Sequence, residues 1–88
     1  MLVVATKSFN KDISKIKDKK LLLKIDDIIQ KMESSKSLSE IHNLKKLSGA
    51  QNAYRVRIGE YRLGFYFTDG AIKLIVFAAR KEIYKYFP

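Results

Sequence analysis

The sequence predicts an α+β domain made of an N-terminal strand, a two-helix hairpin packed on a mostly antiparallel four-stranded sheet, and a short C-terminal helical segment. Two observations support this fold class. Apolar residues recur at helical spacing in the first part of the chain, and they alternate with polar residues from Tyr54 onwards. The 88 residues, of which 47% are hydrophobic, suffice for one small core, so we expect one domain, residues 1–88.

The N-terminal part predicts a strand and two helices. Leu2–Ala5 is short, apolar and β-branched at its centre, which is typical of a strand. Ser8 is the expected cap of the first helix. The inward-facing residues of that helix would be Phe9, Ile13 and Ile16. A break at residues 18–20 is expected before a second helix, from about Leu21 to Met32, whose broad apolar stripe would cover one face of the sheet.

A polar and basic stretch then connects the helices to the rest of the chain. Residues 34–37 predict a polar joint, and residues 38–41 are expected to add one more helical turn. Residues 43–49, NLKKLSG, predict a basic connection with two apolar anchors. Lys45 and Lys46 would add to an anion-binding surface, or they form an ordinary solvated pair, and both interpretations stay open.

The segment that starts at Tyr54 predicts a three-stranded antiparallel meander. Its two-residue turn signals, Gly59-Glu60 and Asp69-Gly70, favour hairpins of defined register. Side chains two residues apart in a strand share a face. The face expected to pack on the helices holds Tyr54, Val56, Ile58, Leu63, Phe65, Phe67, Ile72, Leu74 and Val76. The opposite face holds Arg55, Arg57, Arg62, Tyr66 and Lys73, with Ile75 and Phe77 as apolar exceptions.

All four arginines of the chain lie in this meander or just after it, whereas residues 1–50 contain eleven lysines and no arginine. The predicted register sets Arg57 directly opposite Arg62, and like charges in that arrangement repel each other. Such a violation often marks a functional site, and the guanidinium group suits bidentate contacts to phosphate. Gly64, beside Arg55, is expected to leave a hollow where a ligand backbone could approach. The alternative is an ordinary solvated outer face of a sheet.

The end of the third meander strand bears on the same face. Unbroken alternation would direct Arg80 into the core, which is unfavourable for an unpaired charge. We therefore expect the strand to bend or end at Ala78-Ala79, so that Arg80 turns towards the other arginines. Tyr84 follows one helical turn later, in a helical segment from Lys81 to Phe87, and offers a hydroxyl group and a ring on which a base can stack. Packing beside Phe87 is the alternative role for this tyrosine.

The composition narrows the function classes. The absence of cysteine excludes disulfides, thiolate metal sites and a cysteine nucleophile, and the single His42 argues against a histidine metal site. We expect no metal and no small-molecule cofactor. The apolar start is too short for a signal peptide, and no apolar run is long enough for a membrane span, so a cytoplasmic protein without membrane contact is expected. The net charge of +9 predicts a polyanionic partner, either nucleic acid or an acidic protein.

Four segments together resemble the RelE/ParE superfamily of type II toxin–antitoxin toxins. These segments are the leading strand with FNKDISKI, then NLKKLSG, YRVRIGEYRLGFYF and IKLIVFAARKEIY. The resemblance spans nearly the whole chain and implies a small cytoplasmic toxin that is neutralised by a cognate antitoxin protein. RelE-like members enter the ribosomal A site beside 16S rRNA and cleave mRNA without a metal. The messenger's own 2′-hydroxyl attacks the adjacent phosphate, which leaves a 2′,3′-cyclic phosphate and a free 5′-hydroxyl.

The resemblance also implies roles for residues of this chain by their positions. Arg55 and Arg57 match two basic residues of the family's second strand, and Arg62 matches an arginine of the strand that follows. Arg80 matches the arginine after the last strand, and Tyr84 matches a C-terminal tyrosine. The implied catalytic residues are Arg57, Arg62, Arg80 and Tyr84. The residues expected to bind RNA are Arg55, Lys45, Lys46, Tyr66 and Lys73.

The chain departs from the family pattern at the residues that would move protons. RelE itself has lysines at the positions of Arg55 and Arg57, and many relatives have a histidine at the position of Ala79. Arginine does not release its proton at working pH. Proton transfer is therefore left to Tyr84, to a carboxylate such as Glu60 or Glu82, or to ribosomal RNA.

Three functions stay open on the sequence alone. A ribosome-dependent mRNA endonuclease is the leading hypothesis, because the arginines and the tyrosine are present together. A ParE-like inhibitor of DNA gyrase would share the fold, although members of that branch generally lack the full set of basic residues and tyrosine. A non-catalytic RNA-binding relic of the family is the third hypothesis.

Overall fold

The computed structural model describes residues 1–88, and its centre is a five-stranded mixed sheet with the order β1-β5-β4-β3-β2. The strands are β1 (Leu2–Ala5), β2 (Leu44–Lys46), β3 (Ala53–Ile58), β4 (Tyr61–Thr68) and β5 (Ala71–Ala79). The helices are α1 (Lys7–Ser14), α2 (Lys19–Ser34) and α3 (Ile83–Tyr86), with one 3₁₀ turn at Leu38–Glu40. The predicted α+β class is confirmed, whereas the predicted number of four strands is one too low.

The additional strand is β2, which the sequence predicted as a basic connection. It pairs antiparallel with β3, with Leu44 opposite Val56. The backbone N–H of Leu47 donates a hydrogen bond to the carbonyl of Ala53 at 2.8 Å, which extends the pairing by one residue. Three residues that include two lysines have little strand propensity of their own, and lysine is typical of a protected sheet edge. The strand therefore depends on its hydrogen bonds to β3, which the local pattern does not reveal.

Strand β1 lies at the edge of the sheet beside β5, and this pair is the one parallel pair of the sheet. The sequence did not predict which edge β1 would join. Because β1 is shorter than β5, helix α1 covers the rest of that edge. Ser8 Oγ donates a hydrogen bond to the carbonyl of Ile75 at 2.8 Å. The backbone N–H of Phe77 donates to Asp12 Oδ2 at 3.0 Å. Side chains of α1 thus replace the missing strand neighbour of β5.

Both long helices begin slightly earlier than predicted. Thr6, not Ser8, caps α1, because its Oγ1 accepts a hydrogen bond from the backbone N–H of Phe9 at 3.2 Å. Asp18 caps α2 by accepting from two backbone N–H groups of the first turn, so the two lysines that follow it lie inside the helix. No helix in the structure combines the length and the apolarity that a membrane crossing requires.

The apolar sides of α1 and α2 pack on one face of the sheet and form the main core with it. Its buried residues are Phe9, Ile25, Met32, Ile41, Val56, Ile58, Leu63, Phe65, Ile72, Leu74 and Phe77. A second cluster lies on the opposite face and consists of Leu47, Ala53, Val76, Ile83 and Phe87. The C-terminal segment therefore covers part of the face that was expected to be open.

A β-bulge in β5 corrects the predicted register. The predicted pairing holds as far as Leu74, but Gly64 then lies opposite Val76, so Ile75 has no counterpart on β4. One extra residue in a strand reverses the alternation of side chains beyond it. Phe77, predicted for the outer face, is therefore buried in the main core, and Val76, predicted for the main core, belongs to the second cluster.

Candidate functional site

The face of the sheet that points away from α1 and α2 carries the arginines of β3 and β4. Arg57 lies directly opposite Arg62, and Arg55 lies opposite Gly64, as the sequence predicted. Lys45 of β2 is the cross-strand neighbour of Arg55 on its other side. Directly opposed side chains point to the same face of a sheet, so these four cations are grouped on two adjacent rows.

Arg62 is the most enclosed of these cations, with 8% of its surface exposed. Its Nη1 donates to the backbone carbonyls of Gly59 and Tyr61, both at 2.9 Å. These two acceptors belong to the β3–β4 turn and to the first residue of β4. Arg62 is therefore held in one orientation by backbone atoms close to it in sequence.

The charge of Arg62 is also influenced by the other arginines. Burial lowers the pKa of the Arg62 guanidinium below its ordinary value, and the positive charges of Arg55, Arg80 and Arg57 lower this pKa further. Tyr84 acts on the pKa of Arg62 in the opposite direction. The backbone geometry agrees, because Arg57 and Arg62 are direct cross-strand partners, Arg55 lies on the next row of the same face, and Arg80 is hydrogen-bonded through its backbone N–H to Glu60 of the β3–β4 turn. We call Arg55, Arg57, Arg62 and Arg80 the arginine cluster.

Asn43 accepts hydrogen bonds from both arginines of β3. The backbone N–H of Arg57 donates to the Asn43 carbonyl at 3.1 Å, and Arg57 Nη2 donates to Asn43 Oδ1 at 3.3 Å. Arg55 Nη1 reaches the same carbonyl at 3.4 Å, whereas Arg55 Nε is buried without a hydrogen-bond partner. A buried donor without a partner is uncommon in proteins. Asn43 has a φ of 61°, in the left-handed region that asparagine tolerates better than most residues.

The end of β5 completes the cluster as the sequence predicted. The strand ends at Ala79, and Arg80 is exposed at the start of the turn that follows. The backbone N–H of Arg80 donates to the carbonyl of Glu60 at 2.8 Å, which fixes this turn against the β3–β4 turn. Tyr84 lies in α3 with 59% of its surface exposed, so its ring is available and does not serve as a packing residue. The helical part of the predicted segment is shorter than expected and begins at Ile83.

The expected hollow at Gly64 is occupied, which corrects one prediction. A Cβ atom added to Gly64 would lie 2.7 Å from Cδ2 of Phe87 and 2.8 Å from Cγ1 of Val76. The missing side chain therefore makes room for the ring of Phe87, not for a ligand. Phe87 is 1% exposed and belongs to the second cluster.

The remaining predicted RNA-binding residues are placed unevenly. Tyr66 and Lys73 are opposite each other on the same face as the arginines, but the ring of Phe87 packs on Tyr66 with centroids 5.1 Å apart. Tyr66 and Lys73 thus lie beyond Phe87, away from the arginine cluster. Lys46 pairs with Tyr54, whose side chain packs on the main core, so Lys46 belongs to the other face and not to the site.

No carboxylate neutralises the arginine cluster. The one salt bridge in the structure joins Lys85 and Glu82 at 3.2 Å, and both partners are exposed. Histidine, aspartate and glutamate side chains do not group anywhere in a set that could hold a metal ion. The arrangement is therefore a group of unpaired cations beside an exposed phenol, and such a group can bind and polarise an oxyanion such as phosphate.

Sequence reasoning missed two residues of this site. Asn43 was treated as part of a connection, although asparagine directly before a short strand is a signal for a left-handed turn residue. Phe87 was considered only as a neighbour of Tyr84, and its insertion over Gly64 depends on a contact between the chain end and the middle of the sheet. No local pattern indicates that contact.

Comparisons with known proteins show which proteins the chain is similar to in sequence and in fold. No family model matches the chain. The chain is 35% identical to Toxin RelE3 of Methanocaldococcus jannaschii, over 89 residues that cover 100% of both sequences. It superposes with a TM-score of 0.82 and 33% identity on a chain from the crystal structure of the RelB-RelE antitoxin-toxin complex of Methanococcus jannaschii, covering 97% of this chain and 99% of that one. The YoeB dimer of Staphylococcus aureus shares the fold, with a TM-score of 0.74, 23% identity and coverage of 91% and 97%.

Proposed function

The chain belongs to the RelE family of type II toxin–antitoxin toxins, and from this membership we propose that it is a ribosome-dependent endoribonuclease that cleaves mRNA without a metal ion and thereby inhibits translation. One observation carries the proposal. Arg55, Arg57 and Arg62 share one face of the sheet, the Arg80 backbone is tied to the turn between β3 and β4, and none of the four arginines forms a salt bridge with a carboxylate. Translation on ribosomes implies that the protein acts in the cytoplasm.

The proposed reaction uses the messenger's own nucleophile. The 2′-hydroxyl oxygen of one nucleotide bonds to the adjacent phosphorus, and the bond from phosphorus to the 5′-oxygen of the next nucleotide breaks. A base takes the proton of the 2′-hydroxyl, and an acid supplies a proton to the departing 5′-oxygen. The products are a 2′,3′-cyclic phosphate and a 5′-hydroxyl, so the reaction consumes no water.

Stabilisation of negative charge is the task that this chain is best equipped to perform. In the transition state the charge on the non-bridging phosphate oxygens increases, and preorganised donors aimed at such oxygens usually make the largest catalytic contribution. Arg62 suits this role because the carbonyls of Gly59 and Tyr61 already fix its orientation. Arg57 and Arg80 are exposed and suit the contacts with the phosphate on its accessible side.

Tyr84 is the proposed proton donor to the leaving oxygen, because it carries a phenol hydroxyl on a largely exposed side chain in the helix that follows Arg80. Arginine cannot act as the base. Glu60 is the candidate base within the chain, since its residue is hydrogen-bonded to Arg80 through the backbone, whereas Glu82 is engaged with Lys85. Ribosomal RNA is the alternative source of a base.

Binding of the messenger backbone is proposed for the residues next to the catalytic group. Arg55 and Lys45 are direct cross-strand neighbours, so both suit contacts to a neighbouring phosphate. Lys73 and Tyr66 suit a more distant part of the RNA, because Phe87 separates them from the cluster. The net charge of +9 adds a long-range attraction to the polyanionic ribosome.

A cognate antitoxin is the second proposed partner. The archaeal relative that is 33% identical was crystallised as an antitoxin–toxin complex, which supports the same kind of partner for this chain. The unpaired cations favour an acidic antitoxin segment that folds on binding. Its gene is expected to be a short neighbouring reading frame.

The proposal is tested by mapping the ends of messages after induction of the toxin in cells. We expect growth arrest together with new 5′ ends inside translated messages. The Arg80→Ala/Tyr84→Ala double variant should lose both effects, whereas Lys81→Ala/Tyr86→Ala, which alters exposed neighbours on the same turn, should keep them. In a purified translation system the fragments should carry cyclic phosphate at their 3′ ends. Growth arrest with intact messages would contradict the proposal, and inhibition of DNA gyrase in that case would indicate the other branch of the superfamily.

A further inference from the structure

The helix that carries Tyr84 is too short to hold its own position. Helix α3 consists of the four residues Ile83–Tyr86, which is about one turn. Isolated helices shorter than roughly 12 residues are not stable in water, because the free-energy cost of nucleation exceeds the stabilisation from the hydrogen bonds of so few turns. The location of Tyr84 must therefore be fixed by contacts that α3 makes with the rest of the chain.

Two buried residues on either side of Tyr84 supply those contacts. Ile83 is 0% exposed and Phe87 is 1% exposed, although the residues between them, 84–86, are exposed. The backbone N–H of Phe87 donates to the carbonyl of Ile83 at 2.9 Å, so the two anchors and the turn between them form one closed unit. Tyr84 is carried by this unit.

The ring of Phe87 packs over Gly64, in a space that we call the seat of Phe87. This space exists only because residue 64 has no side chain. A Cβ atom at Gly64 would lie 2.7 Å from Cδ2 of the Phe87 ring, closer than real Cβ atoms approach other heavy atoms, and 3.0 Å from its Cε2. Gly64 lies in the middle of β4, where glycine weakens a strand, and its φ is not in the positive region. The glycine is therefore explained by the space it leaves and not by an unusual backbone conformation.

We propose that Gly64 and Phe87 are a positioning pair that holds Tyr84 beside the arginine cluster for RNA cleavage. The inference rests on the proposed function for the role of Tyr84, but the anchoring itself does not. Gly64 also has Arg55 as its direct cross-strand neighbour. Phe87 therefore packs on the cross-strand pair Arg55–Gly64, which lies next to the pair Arg57–Arg62 on the same face. A shift of the chain end would thus occur directly beside these arginines.

The test compares variants that empty or fill the seat. Phe87→Ala removes the anchor and keeps the seat, and Gly64→Ala fills the seat and keeps the anchor. Both should lower the cleavage rate of ribosome-bound mRNA on the order of 10²-fold, because a displacement of about 1 Å at a catalytic group has that effect. Phe87→Leu should retain most of the rate, since leucine still fills the hollow. Tyr86→Ala is the matched control, because it removes an aromatic ring of similar size that is 68% exposed on the same turn.

Hydrogen exchange separates the anchoring from the chemistry. In Phe87→Ala and Gly64→Ala the amides of residues 83–88 should exchange faster, while those of β3 and α2 stay protected and report that the fold is intact. The affinity for single-stranded RNA should change less than about two-fold, because the arginines are untouched. Unchanged exchange at residues 83–88, or full cleavage despite fast exchange there, would overturn the positioning role. If the unmodified protein does not cleave mRNA at all, the proposed function fails, and the exchange data still decide whether the pair anchors Tyr84.

Discussion

Arg57 on β3 and Arg62 on β4 are direct cross-strand partners, and neither of them forms a salt bridge with a carboxylate. Two like charges in this arrangement cost the fold roughly 0.2–1 kcal/mol. Arg62 is also almost fully buried, with only backbone carbonyls as acceptors. The fold thus keeps a repulsive contact that the substitution of one residue would remove, which is expected where the cations serve to bind an anion.

The repulsion predicts a specific dependence of stability on salt. The folded-state pKa of Arg62 is lowered, so its charged form is disfavoured by folding, and this cost is present at every working pH because arginine stays protonated in proteins. Salt screens the other arginines, and screening should stabilise the native protein. We expect Arg62→Met to gain less stability than the native protein between 0.05 and 0.5 M salt, by no more than the roughly 0.2–1 kcal/mol that the repulsion costs, measured by urea unfolding.

The control for this experiment is Lys24→Met, which removes the same charge from an exposed position on α2. It lowers the net charge equally but takes no cation out of the cluster. Equal salt responses of the two variants would mean that only the overall charge matters and that the cluster is not strained.

Asn43 gives a second prediction, which concerns RNA binding. Its Oδ1 accepts from Arg57 Nη2, and its left-handed backbone is one that glycine also adopts. Asn43→Gly should therefore keep the fold, free the guanidinium of Arg57 and weaken RNA binding about three-fold, since a typical hydrogen bond contributes about 0.5–1.5 kcal/mol. The measurement is equilibrium binding of a single-stranded RNA oligonucleotide across a range of salt concentrations.

Asn43→Asp sharpens the same experiment. An aspartate at this position would pair with Arg57 and withdraw it from the RNA phosphates. The slope of log affinity against log salt should then fall by about 0.7, the value for one phosphate contact on a single strand. An unchanged slope would show that Arg57 does not contact phosphate in the bound state.

The register of the meander could be predicted from the sequence as far as the alternation remained intact. The turns at Gly59-Glu60 and Asp69-Gly70 set the pairing of β3 with β4 and of β4 with β5 up to Leu74. The bulge at Ile75 could not be predicted, because it is stabilised by side chains of α1, more than sixty residues earlier in the chain. The convergence of the arginines survived this error, since Arg80 lies after the end of β5 in either register.

The same limit explains why the face that carries Arg55, Arg57 and Arg62 was predicted better than its surroundings. The arginines are exposed by strand alternation and by turn chemistry, which are local properties. The occupant of the space over Gly64 and the edge strand β2 depend on contacts between distant or weakly patterned segments. The sequence indicated no register for Lys46, which was predicted as an RNA-binding residue. The pairing of Lys46 with Tyr54 places it on the opposite face of the sheet from the arginines.

The bulge leads to a third prediction, which concerns stability. Asp12 Oδ2 is the acceptor for the backbone N–H of Phe77, so Asp12→Ala leaves a donor without a partner. Loss of this acceptor should lower the free energy of unfolding by about 1–3 kcal/mol in urea titrations. Asp12→Asn retains an oxygen at the same place and should recover most of the loss.

Asp26→Ala is the control for this stability prediction, because Asp26 is exposed and its hydrogen bond goes only to the side chain of Gln30. Its effect should stay within about 0.5 kcal/mol, as for surface substitutions in general. A loss of similar size at both aspartates would contradict a special role for the contact between α1 and β5.

The fourth prediction concerns acid. Glu40 accepts hydrogen bonds from the backbone N–H groups of Lys36 at 2.6 Å and Ser37 at 3.1 Å, and these bonds, that of Lys36 first, lower the pKa of its carboxyl group. Because the folded-state pKa is below the unfolded value, the contribution of Glu40 to stability is fully present above about pH 4.3 and is lost as the pH falls through the folded-state pKa. Glu40→Gln cannot ionise and should not show this loss.

The difference in unfolding free energy between the native protein and Glu40→Gln should therefore be constant from pH 7 to about pH 5 and shrink below that. Urea unfolding at a series of pH values measures it directly. Glu33→Gln is the matched control, because Glu33 is exposed near the end of α2 and accepts no such pair of backbone hydrogen bonds through its carboxylate. Parallel curves of unfolding free energy against pH for the native protein and Glu40→Gln would show that the carboxylate does not stabilise the connection between α2 and β2. This connection ends at Asn43, which provides the acceptor for Arg57.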